Sequence, residues 1–167
     1  MNQKTPGLVV ALGVAGLIPF ALCGLGAVVT DQPYAGRALL ALVAYGAVVL
    51  SFVGAVHWGL LMGLPEPGVT DAYLPRARLL WGIAASLIGW VSVLAYLWVA
   101  PSIALAVLIA GFVVMLVLEV GWNRRDLLPA GYMALRWVLS VVVVAILATV
   151  LVLHLFSARV VLGGFMP

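Results

Sequence analysis

Between Leu79 and Leu118 the chain runs for forty residues without one charged side chain. Only Ala100-Pro101 and a few Ser and Gly interrupt the apolar pattern. A soluble core does not require such a run. A bilayer does, because a spanning helix takes about 20 apolar residues at a rise of roughly 1.5 Å each. The run is long enough for two spans joined by a bend at the proline. Composition agrees: 66% of residues are hydrophobic and 8% are charged, against about 45–50% and about 25% in a soluble domain.

Five apolar segments emerge, at about Leu8–Val29, Ala38–Met62, Leu79–Val99, Ser102–Gly121 and Met133–Phe156. They predict an all-α bundle of five transmembrane helices, with the 167 residues forming a single membrane domain. The alternation of a membrane β-barrel strand is absent, and continuous apolar backbone in lipid must pair with itself as helix. The first segment exceeds the roughly 7–15 apolar residues of a signal-peptide core, so it is expected to be retained. Pro19 at its centre predicts a kink, because proline removes an N–H and its ring clashes with the preceding turn. The longest loop is expected from about Gly63 to Arg78, too short for a catalytic domain outside the membrane.

Orientation follows from the basic residues. One side carries Lys4, Arg76, Arg78, Arg124, Arg125 and Arg136, and the other Arg37 and Arg159. Positive loops stay inside. The expectation is a bacterial inner (cytoplasmic) membrane protein with a cytoplasmic N-terminus and a periplasmic C-terminus. The net charge of +3 is small and scattered over the ends of apolar runs, so no nucleic-acid partner is expected.

Few polar groups lie at membrane depth, and such groups are functional candidates because burying them is costly. His57, Glu119 and Arg136 fall near the same inner face by topology, beside Trp58, Trp122 and Trp137. One reading is a polar cluster in which Glu119 pairs with Arg136 and His57 titrates beside them, able to relay protons or hold an anionic head group. The other reading makes Glu119 and Arg136 boundary residues reaching into the head groups, with the tryptophans as an interfacial belt and lipid contact. Arg124-Arg125 is a juxtamembrane pair, below the four to eight basic residues of an anionic-lipid motif. His154 lies near the opposite end of the last helix. The two histidines cannot share one haem or metal ion within a subunit, and the lone Cys23 builds neither a disulfide nor a metal cage. No metal site, cofactor or catalytic residue is therefore expected. Ser51, Ser86, Ser92, Ser140 and Thr149 are read as bonding their own helix backbone. Small residues that let helices approach closely are Ala47, Ser51 and Ala55, and Gly13, Gly16, Gly24 and Gly26.

Three motifs carry a resemblance. Ala15-Gly16-Leu17-Ile18-Pro19-Phe20, the stretch from Tyr45 to Gly59 with its Ser51-Phe52-Val53-Gly54-Ala55-Val56-His57-Trp58-Gly59 end, and Pro129, Tyr132, Leu135 and Arg136 resemble those of a family of small multipass membrane proteins of unknown function. That family includes the eukaryotic transmembrane protein 69. The resemblance covers about Leu12 to Val144 and implies a bacterial or mitochondrial inner membrane. It supplies no activity. The chain departs from the family pattern at Ala85-Ser86-Leu87, where Pro-Ser-Leu is usual, at Gly131, where Trp is usual, and at Glu119, where Asp is usual.

Two functional expectations follow. The first is a non-enzymatic accessory or assembly subunit of a larger membrane complex, partnered by the lipid bilayer and by other membrane-protein subunits or copies of itself. It rests on the scarcity of polar groups and on the small-residue faces. The second is a small proton-linked transporter or channel using His57, Glu119 and Arg136. An enzyme would need a nucleophile or metal site that the sequence does not offer.

Overall fold

The computed structural model describes residues 5–62, 73–123 and 132–163. Among these residues six helices follow one another: α1 (Thr5–Ala15), α2 (Ile18–Val29), α3 (Tyr34–Met62), α4 (Tyr73–Trp98), α5 (Pro101–Asn123) and α6 (Tyr132–Gly163). No strand occurs among the described residues. α1 and α2 together make the first of five membrane-length apolar spans. The chain is thus an all-α integral membrane bundle.

The first span breaks at Gly16-Leu17, two residues ahead of Pro19 rather than at it. The displacement has a direct cause. Pro19 has no N–H for the carbonyl four residues back, Ala15, so the α1 ladder ends there. Leu17 instead bonds Val14 in a tighter turn, and α2 restarts with Pro19 in its first turn. The Gly16 carbonyl, released from the ladder, accepts a hydrogen bond from the Tyr45 hydroxyl of α3 at 3.0 Å. A polar group that lipid could not satisfy is thereby paired within the bundle.

α4 starts at Tyr73, six residues before the start expected at Leu79. Pro75 falls in its first turn, where a missing N–H breaks nothing. The helix thus takes in Arg78, which the sequence had placed at the end of a loop.

α3 sits at the centre, packed on α2, α4 and α5, while α6 closes the bundle between α5 and the first span. The core is hydrocarbon, with Leu42, Leu50, Leu105, Leu108, Met115 and Leu147 fully enclosed. Phe20 of α2 meets the Tyr45 ring at 5.1 Å and the Phe112 ring at 6.3 Å, both edge to face. That arrangement suits the ring quadrupoles and ties the first span to α3 and α5. Outward faces carry Leu22, Phe52, Leu80 and Val117, as lipid contact requires.

The tightest seam joins α3 and α4. A Cβ built on Gly54 would collide with the Gly82 carbonyl, and one on Gly89 would sit 2.9 Å from the Ala47 carbonyl. Small residues at membrane interfaces permit this backbone approach, and dispersion then does the work that hydrophobic expulsion cannot do in lipid. The glycines of the first helix are also used internally: Gly13 faces Leu139, Gly24 faces Ile146 and Val150, and Gly26 faces Ala38. Of the expected face on α3, Ala47 is buried but Ala55 points outward, and Gly54 takes its place. Gly54→Ala should therefore lower the thermal midpoint in mild detergent by an amount equivalent to about 1–3 kcal/mol of overpacking. Gly59→Ala, where nothing lies within 4 Å, should not lower it.

Candidate functional site

Four helix ends meet on the membrane face that also carries the start of α1. His57 lies five residues before the end of α3 and Arg78 five after the start of α4. Glu119 lies four before the end of α5 and Arg136 four after the start of α6. Each is thus roughly 6–8 Å inside its helix, and all four occupy one layer.

The Glu119 carboxylate is the hub. Arg136 donates from Nε to its Oε2 at 2.8 Å. His57 Nε2 stands 3.5 Å from Oε1, an electrostatic contact longer than a good hydrogen bond. His57 and Glu119 are 2% and 1% exposed, and Arg78 is buried as fully, with a charge that acts on His57 together with that of Arg136. The carboxylate does not reach into the head groups. It is enclosed and answered by the Arg136 cation of the neighbouring helix, the condition under which a charge survives in low dielectric.

Trp58 and Trp137 lie at the same depth but turn half outward, and Trp58 lies over Gly82 of α4. Arg124 and Arg125 fall outside the described residues, as does the side chain of Trp122. His154, 18 positions beyond Arg136 on α6, is roughly 27 Å along the helix from the cluster. Ser51, Ser92 and Thr149 bond backbone carbonyls of their own helices.

Arg78 and Ser140 were not singled out by sequence reasoning as members of this region. Arg78 did leave a signal: it shares one helix face with Gly82, Ala85 and Gly89 at spacings of four, three and four, the face that α4 turns to α3. Ser140 lies one turn beyond Arg136, and its buried hydroxyl has no hydrogen-bond partner among the described residues.

Beside the cluster a crevice of about 540 Å³ opens between the first span, α3 and α6. Its walls are apolar except for Arg136, Ser140 and the Tyr45 ring, whose hydroxyl is already committed to Gly16.

A five-span helical membrane protein with an ion-paired layer under one surface is the class these features define. The chain belongs to the family described as "Protein of unknown function (DUF3429)", whose model matches residues 5–152. It is 31% identical over 142 residues to Transmembrane protein 69 of Xenopus tropicalis, a match covering 85% of this chain. The chain spans about half the length of that relative, 53%. No solved structure matches.

Removing one partner of the buried pair should be costly. Arg136→Leu alone, which strands the Glu119 charge, is expected to lose about 3–5 kcal/mol, whereas the Glu119→Leu, Arg136→Leu double substitution should recover most of that loss. Equilibrium unfolding of the three proteins in the same detergent measures the coupling. Equal losses in the single and double variants would show that the pair is not what holds these helices.

Proposed function

We propose that the protein is a non-enzymatic accessory or assembly subunit that docks another membrane-protein helix against α4. The supporting observation is Trp90. It is 61% exposed near the middle of its span, eight residues before Trp98, hence roughly 12 Å from that end. The interfacial belt does not reach that depth. What separates Trp90 from an outward Phe52 is its indole N–H, for which hydrocarbon offers no acceptor and a docked helix can. Ser86, one turn away on the same face, also points outward, and a serine facing lipid is well placed to bond across to a neighbouring helix. The small-residue faces that first suggested a partner are engaged inside the bundle, so the docking reading rests on this α4 stripe instead.

The buried cluster fits the same reading. Its charges bind helices to one another, and the described core beyond it, through Leu42, Leu105, Leu108 and Leu147, is hydrocarbon. A proton-linked transporter needs polar groups along that half of the route, and Ser92 there bonds Gly89 of its own helix.

Native gels and affinity purification in mild detergent are expected to find the chain in a species heavier than itself that contains another membrane subunit. Trp90→Ala should release it without lowering the thermal midpoint of the isolated chain. A solitary monomer under every gentle condition would defeat the reading, and a species containing only copies of this chain would redirect it to self-association.

The proposed setting is a bacterial inner membrane with the cluster on the cytoplasmic side, supported by the bias of Lys and Arg toward that face. Fusion reporters at each terminus test it: the N-terminal fusion should report cytoplasm and the C-terminal one periplasm, and a cytoplasmic C-terminus would reverse the assignment.

A further inference from the structure

We infer that the crevice between the first span, α3 and α6 is a binding site for an acidic amphiphile: a hydrocarbon chain with a carboxylate or phosphate head. Three observations converge on that chemistry.

The first is shape. Along the first span the crevice extends from Val9 to Phe20, twelve residues, or roughly 16 Å. That is close to half of a hydrocarbon core about 30 Å thick. A groove of this depth fits the acyl portion of one leaflet and stops near the bilayer centre, where Phe20, Phe112 and Val143 line its end.

The second is polarity. The deep end has no polar atom to satisfy, because the Tyr45 hydroxyl is bonded to Gly16. The shallow end has Arg136 and, one turn deeper, Ser140. The gradient from donors at the surface to hydrocarbon at depth is that of a lipid.

The third is the donor set. Glu119 takes the Nε–H of Arg136, while Arg136 Nη2 is buried without a partner among the described residues. Ser140 is 2% exposed, and its Oγ is likewise buried and unbonded. The other described serine and threonine hydroxyls bonded within their own helices show that Ser140 had that option. Both vacant groups can donate. Glu119 does not line the crevice; it takes the Nε edge of the guanidinium, and an anionic head would meet the Nη2 edge that the carboxylate leaves vacant. Both residues line the crevice although these two atoms are turned away from its open space, so an oxygen-rich anionic head that enters between them and draws both donors round would satisfy the pair and form the charge-assisted bond for which arginine is suited.

This inference does not depend on the docking face, which lies on α4 away from the crevice. It is tested on the full-length protein in phosphatidylcholine nanodiscs, with empty discs as the blank. The probes are radiolabelled oleate, oleoyl lysophosphatidate and methyl oleate. Saturable binding of oleate or lysophosphatidate at one per chain is expected, with methyl oleate at least tenfold weaker. Preference between the two acids separates a carboxylate head from a phosphate head. Ser140→Ala, nearly isosteric, should weaken acid binding about fivefold while raising the thermal midpoint of the ligand-free protein, since it deletes an unbonded buried hydroxyl. Val49→Trp should fill the groove and abolish binding, with its unfolding midpoint confirming that the bundle is intact. Methyl oleate binding as well as the acids, no saturable binding of any probe, or full affinity in the folded Ser140→Ala and Val49→Trp proteins would each overturn the site.

Discussion

A carboxylate buried at membrane depth has to be answered by a cation, and the geometry of the polar face follows from answering Glu119. The nearest donor is Arg136, 2.8 Å away on α6. His57 from α3 approaches the other oxygen, and Arg78 of α4 completes the buried layer. None of these groups could be enclosed alone without a large desolvation cost, and together they fix four helices at one level. Burial of hydrocarbon supplies no such drive, because lipid tails and leucine side chains are equally apolar.

Below that layer, shape takes over from charge. The α3–α4 seam is decided by Gly54, Gly82 and Gly89, where the absence of a Cβ lets backbones touch. The first span could not join as one straight rod, since Pro19 interrupts its ladder. The resulting break is stabilised by Tyr45 and wedged by Phe20 against Phe112. The bend leaves the first span incompletely packed on α3 and α6, and the crevice lies along that join.

The spans were legible from hydropathy because lipid imposes length and apolarity on each helix separately. The meeting of His57, Glu119 and Arg136 was legible because the up-down path of five spans returns those helix ends to one face. Their enclosure was not legible: boundary residues and a buried pair look alike in sequence. Arg78 was missed because α4 begins inside what reads as a Pro- and Gly-rich loop, and only the register with Gly82 ties it to the α3 face. The crevice and Ser140 depend on where the first span breaks, and a proline in sequence does not say how its neighbours will close around the gap. Of the small residues, Gly13, Gly24 and Gly26 do meet neighbouring helices, all within the chain, whereas Ala55 points outward.

The glycine seam also has a mechanical meaning. Two helices whose backbones touch lose dispersion along the whole contact when they part, so α3 and α4 hold together as one plank. Compliance in the bundle is left to the opposite join, where side chains rather than backbones set the spacing and where the broken first span meets α6. Thickening or thinning of the surrounding bilayer would be absorbed on that side, by tilting of the hinged rod against an unyielding wall.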